Sequence, residues 1–275
     1  MYKKAFAVMA SLGLVMVAGC GGGGSAPAGG GATGGGAAPA KKEAKKAASA
    51  SAEAYSADKF KGSIKGVVAF DGEAPKRPKI DTSGDKACHA MHEGDKALTK
   101  EDTALVKDGK LQNVIVHLKT GTDKYNYDTP TKAAVIDQDG CKYVPHVLAV
   151  MVDQPIEIKN SDSLTHNVHG ISPAKANPEF NISQANKGAV DKKKLSEPEL
   201  PYTVQCDVHK WMNAKVGVFS HPFFAVTGED GAFEIKNVPP GEYEVEAWHE
   251  TLGKQAGKAT VKEDGAAEVT FTFKK

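Results

Sequence analysis

The stretch PYTVQCDVHKWMNAKVGVFS, residues 201–220, decides how the rest of the chain is read. On either side of its centre, PYTVQC and AKVGVFS alternate apolar and polar residues with period two, as half-buried β-strands do. Between them Cys206, His209 and Met212 stand at the spacing C-x2-H-x2-M. A thiol, an imidazole and a thioether are thus crowded into one strand connection. Taken singly, each has an ordinary reading: a cysteine that packs or pairs, a histidine at the surface, a methionine in the core. Taken together, they are soft and borderline metal ligands in one place.

The same alternation recurs outward from this stretch. SIKGVVAF, NVIVHL, HVLAVMV, PIEIKN, AFEIKNV, EYEVEAW, KATV and AEVTFTF are short runs separated by Gly, Asp, Asn or Pro. Long helical periodicity is absent from residue 59 onward, so the expected fold class is all-β, as one or two sandwiches. A length of 275 residues allows one or two domains, at roughly 150 residues each. With 35 basic and 34 acidic residues the net charge is +1. That balance gives no electrostatic case for nucleic acid as a partner.

The beginning of the chain reads differently. MYKK is a positive segment, and AFAVMASLGLVMVAG is an apolar run short for a membrane span. The run ends in Val17-Ala18-Gly19-Cys20, which resembles the lipobox of bacterial lipoproteins. The resemblance implies a signal over residues 1–20, cleavage before Cys20 and a lipid on its thiol. Plain secretion and an uncleaved anchor are the competing readings. Residues 21–58, rich in Gly, Ala and Lys, are expected to form a low-complexity linker. Gly21, in place of an Asp, points by the same resemblance to the outer membrane. In an oxidising compartment cysteines tend to pair. If Cys20 carries lipid, Cys88, Cys141 and Cys206 remain, an odd number that asks for an explanation.

Two further resemblances divide the rest. Gly231-Ala-Phe233-Glu-Ile235, then Pro239-Pro240-Gly241, then Tyr243-Glu-Val245 resemble the carboxypeptidase regulatory-like, or transthyretin-like, sandwich. The opening motif of that family stands far upstream, at Gly66-Val67-Val68-Ala69-Phe70-Asp71-Gly72-Glu73-Ala74-Pro75, with NVIVHL as its second strand. The resemblance implies a split sandwich of residues 59–125 plus 219–275, interrupted by residues 126–218. Two consecutive domains are the alternative.

The inserted part resembles a cupredoxin. VPHVLAVMVDQPIEIKNSD leads to His166-Asn167-Val168 in NSDSLTHNVHG, an aromatic stands four residues before Cys206, and CDVHKWM supplies a short ligand loop like that of amicyanin. The resemblance implies one type 1 copper held by His166, Cys206, His209 and Met212. That donor set, two imidazoles, a thiolate and a weak axial thioether, suits both copper oxidation states. His169 is the reserve ligand, since residues three apart on a strand face opposite ways. Asn167 is the expected hydrogen-bonding link between the two ligand loops. Zinc is the competing metal, though it favours more thiolates and Met suits it poorly.

Reserving Cys206 for metal leaves Cys88 and Cys141 as the expected disulfide. In CHAMH, residues 88–92, His89, Met91 and His92 could otherwise suggest a second metal; the expectation is a disulfide with exposed histidines. His146 is expected to be structural, Trp248 to pack, and His249 with Glu250 to meet solvent. Lys192–Lys194 are read as a solvated loop, or as a docking patch for an acidic redox partner. The functional expectation is an exported, lipid-anchored copper protein of the cell envelope, carrying single electrons between redox protein partners. It is expected to have no enzymatic activity and no small-molecule substrate, with the His209 ring edge as electron port. Copper handling as a chaperone or store, a copper enzyme subunit, and a binding module without redox activity are the alternatives.

Overall fold

The computed structural model describes residues 52–93 and 100–275, and among these the fold is all-β apart from short helical segments. The predicted signal, Cys20 and most of the expected linker lie outside the described residues. The linker expected over 21–58 nevertheless runs into the fold at its end. Glu53–Ala54 pairs in parallel with Tyr125–Asn126, and the Tyr55 hydroxyl donates to Asn237 O at 2.7 Å. Tyr55 also packs edge-on against Phe223 at 5.4 Å, which sets an aromatic side chain of this polar segment against the core.

Two sheets enclose the first core. The larger has five strands in the order Phe180–Gln184, His166–Ile171, Glu199–Gln205, Asn213–Phe219 and Val147–Met151. The other has four, in the order Val190–Lys193, Ile156–Asn160, Ala134–Gln138 and Tyr143–Val144. Alternation works here as read: Tyr202, Val204, Ala214, Val216 and Val218 point into one core with Ile136, Ile158 and Val168. Gly170 is required in this layer, because a Cβ there would lie 2.3 Å from Tyr202 Oη and 2.5 Å from the Phe180 ring.

A second core is built from distant parts of the chain. Ser63–Asp71 pairs antiparallel with Ala232–Lys236, and Ile115–Leu118 pairs antiparallel with Gly241–His249. Ile64, Val68, Leu111, Val116, Phe233, Val245 and Phe273 share that core. Ile115, Val147, Phe219 and Trp248 form a smaller apolar cluster with residues drawn from both sheet systems. Besides a 3-10 turn at Ala57–Lys59, the described residues hold an α-helix, α1, at Lys86–Glu93, in the excursion between Ser63–Asp71 and Lys110–Leu111. Among the described residues no helix is long and apolar enough to cross a membrane.

Several polar side chains depart from expectation. His249 and Glu250 do not meet solvent: His249 is 1% exposed, and Glu250 bonds His146, which in turn lies 3.0 Å from Asn213 O. His92 is buried too, with Nε2 3.0 Å from Gly140 O, whereas His89 stays at the surface. His92 is turned toward Gly140 O, while His89 pairs at the surface with Glu93.

His249 Nδ1 accepts the backbone N–H groups of Thr251 and Leu252, and His221 Nδ1 accepts that of Phe223. An imidazolium could accept neither, and burial pushes both rings down to about 4. Unfolding restores a value near ~6.5, so the unfolded chain binds more protons between these limits. Stability is therefore complete above pH ~6.5 and falls as pH drops toward ~4, by an amount on the order of several kcal/mol. Chemical unfolding of the full chain across that range should show the slope, and His221→Gln should make it shallower. An unchanged slope in the variant would mean His221 titrates normally in the fold.

Candidate metal centre

The centre is built on a hairpin whose last paired residues are Gln205 and Asn213, leaving 206–212 as the loop. Two backbone bonds close it: Cys206 N–H to Met212 O at 3.0 Å and Met212 N–H to His209 O at 2.8 Å. Cys206, His209 and Met212 are drawn inward and buried, while Val208 between them is 62% exposed. His166 arrives from the start of the neighbouring strand, His166–Ile171, with a side chain fully buried.

Donor atoms of His166, Cys206 and His209 all lie within 4.8 Å of one another. His166 Nδ1 is 3.0 Å from His209 Nδ1, and Cys206 Sγ is 3.7 Å from the same nitrogen. Nitrogens about 2.0 Å from one metal stand about 3.3–3.5 Å apart at tetrahedral or trigonal angles, and a nitrogen–sulfur pair stands slightly farther. The separations bracket that geometry, so these residues fit a metal held on the two Nδ1 atoms and the sulfur. Met212 closes the loop beside them. His169 does not join this group: it lies on the other face of the strand, with Nδ1 3.0–3.1 Å from the Asp207 carboxylate.

Asn167 links the loops through two groups. Its Oδ1 accepts the Asp207 N–H at 2.7 Å, and its own N–H donates to Cys206 Sγ at 3.5 Å. The His209 N–H adds a second bond to the sulfur at 3.3 Å. Burial alone would push the Cys206 thiol up, but hydrogen bonds from His166 and from the N–H groups of Asn167, His209 and Val208 hold it below its ordinary value. Burial also opposes charge on His166, yet Asp162 and Cys206 outweigh it and hold the imidazole up at about 9. On His209 burial wins, and its value is lowered in spite of Asp85. The site thus favours a thiolate, the form that binds metal.

Two carboxylates complete the arrangement, and sequence reading passed over both. Asp162 Oδ2 accepts from His166 Nε2 at 2.8 Å, and Asp85 Oδ2 lies 3.4 Å from His209 Nε2. The first had a signal, an acid four residues before His166; the second lies 124 residues away and had none. Cys88 and Cys141 are joined in a disulfide, and Cys206 is free and buried. The expectation that the His209 ring edge reaches the surface is overturned: His209 is 2% exposed, with Asp85 Oδ2 3.4 Å from its Nε2.

No known family model matches the chain, and no curated protein matches it. Among solved structures, a copper-containing nitrite reductase from Thermus scotoductus SA-01 is similar at 18% identity, covering 32% of this chain and 22% of its own, with a TM-score of 0.30. A variant of amicyanin in its Cu(I) form is similar at 25% identity over 31% of this chain and 81% of its own, with a TM-score of 0.28. A purple cupredoxin from Nitrosopumilus maritimus is similar at 25% identity, covering 31% of this chain and 98% of its own, with a TM-score of 0.27. The chain spans about a fifth of the length of the nitrite reductase.

Removing the Asn167 side chain leaves the Asp207 N–H without its partner. Asn167→Ala should therefore cost about 1 kcal/mol in the metal-free protein. Denaturant unfolding checks this, and a midpoint equal to that of the unaltered protein would show that the loop keeps its shape without Asn167.

Proposed function

We propose that this chain is an exported, lipid-anchored protein that carries single electrons on one type 1 copper held by His166, Cys206, His209 and Met212. The observation that supports it is the convergence of two Nδ1 atoms and one thiol in a buried β-framework, with a buried thioether at the end of the same loop. Copper, when bound, supplies a one-electron couple. The chain's own residues supply the rest. The hairpin register fixes the spacing of three donors, Asn167 clamps the loop, and Asp162 sets the tautomer of His166 by accepting from Nε2. Zinc is disfavoured by the donor set, one thiolate with a thioether.

The surrounding body, residues 59–125 plus 219–275, is proposed as a split transthyretin-like sandwich around the inserted 126–218. The pairing of Ser63–Asp71 with Ala232–Lys236 supports this. The electron donor and acceptor are proposed to be proteins, with the lipid on Cys20 keeping the centre near a membrane of the cell envelope. No substrate reaction is assigned to the chain.

Titration of the full chain with Cu(II) should give an intense visible thiolate-to-copper band that saturates at one equivalent. Cys206→Ser should abolish the band, and His166→Ala should weaken binding or change the colour. A colourless protein that takes zinc alone at the same residues would overturn the proposal.

A further inference from the structure

The two ligand histidines are held by an unusual closed ring of contacts. Asp85 Oδ2 faces His209 Nε2, while Asp85 Oδ1 accepts the N–H groups of Ala87 and Cys88, each at 2.9 Å, at the start of α1. Asp162 repeats the pattern: Oδ2 accepts from His166 Nε2 and from the Cys141 N–H, and Oδ1 accepts the Gly140 N–H. The two cysteines whose backbones hold these carboxylates are bonded to each other. The ring therefore runs from His209 through Asp85 and Cys88 across the disulfide to Cys141, Asp162 and His166.

Other contacts seat the same helix. His92 Nε2 meets Gly140 O at 3.0 Å, and the Trp211 indole N–H holds the helix's disulfide partner, donating to Cys141 O at 3.0 Å. Thr82 Oγ1 lies 3.1 Å from His89 Nδ1. Cys88, Cys141 and Cys206 all belong to one core cluster and are 0–1% exposed. α1 belongs to the chain excursion that leaves and rejoins the second sheet system, so its place over the centre comes from these contacts and not from strand pairing.

We propose that α1 is a cap on the metal centre, in which Asp85 positions His209 and the Cys88–Cys141 disulfide holds the cap shut. This rests on the metal reading above for its consequence, but not for the closure itself. A histidine that binds through Nδ1 carries its proton on Nε2, so it needs an acceptor there, and Asp85 is that acceptor. Asparagine at position 85 would still cap the helix through its oxygen. It would turn its amide N–H groups toward the His209 N–H, and the acceptor would be lost. The cap thus does two separable things: it orients one ligand, and it seals Cys206 and His209 from solutes.

Two measurements test it on the full chain. The first needs no copper: a small maleimide is added to the metal-free protein and labelling at Cys206 is followed by mass spectrometry. In Cys88→Ser/Cys141→Ser, confirmed folded by its unfolding transition, labelling should be at least about tenfold faster, since the thiol then depends on local opening for protection. The second is loss of Cu(I) to a bicinchoninate chelator, which should be about 10- to 100-fold faster in Asp85→Asn. Asp85→Glu should recover part of the difference, which a general loss of stability would not allow. Equal Cys206 labelling in the folded double variant overturns the cap, and unchanged chelator loss in Asp85→Asn overturns the role of Asp85. If the double variant does not fold, Asp85→Asn decides the role of Asp85, and Cys206 labelling of the unaltered chain before and after reduction of the disulfide decides the closure. If copper is never bound but labelling remains gated, the closure stands and the metal reading falls.

Discussion

Antiparallel register between Glu199–Gln205 and Asn213–Phe219 is the constraint on which the rest depends. Pairing stops at Gln205 and Asn213, so the chain must turn back within seven residues, 206–212. The Cys206–Met212 backbone bond ties the ends of that turn, and the bond from Met212 N–H to His209 O tightens its middle. Under these bonds the side chains at 206, 209 and 212 have little choice but to point inward, and Val208 points out. A slip of one residue would turn every side chain of the shifted strand to the other face and scatter the donors. Asn213–Phe219 also pairs in parallel with Val147–Met151, which anchors the hairpin on its second side.

The two sheet systems meet through Ile115, Val147, Phe219 and Trp248, which belong to strands of both. Polar contacts cross the same boundary. His146, at the entry to Val147–Met151, bonds Glu250, which follows the strand Gly241–His249. The excursion that carries α1 adds a covalent tie, the disulfide to Cys141. These ties brace the strands that carry the centre against the second sheet system.

Buried imidazoles in this fold follow opposite courses for one physical reason. Burial penalises the charged ring everywhere, and the neighbour decides whether the penalty is overcome. His166 has a carboxylate on one nitrogen and a thiol near the other, and is held up at about 9. His221 and His249 accept backbone N–H groups on Nδ1, and fall to about 4. Two are thus built as neutral acceptors inside the framework, and one is built beside a thiol.

What the sequence determined by itself was local. Period-two alternation placed the strands, and hence the all-β class, because every second residue of a half-buried strand must be apolar. The C-x2-H-x2-M spacing placed three donors in one turn, because a hairpin loop of that length keeps its residues close. Tertiary structure decided everything that required distant segments to meet. It chose the face of His166 over that of His169, buried His92, His209 and His249 where exposure was expected, and drew Glu53–Ala54 onto the body. It also brought Asp85 to His209, in contact across 124 residues. Periodicity reports which side of an element is apolar, but it carries no record of what later folds over a polar side chain.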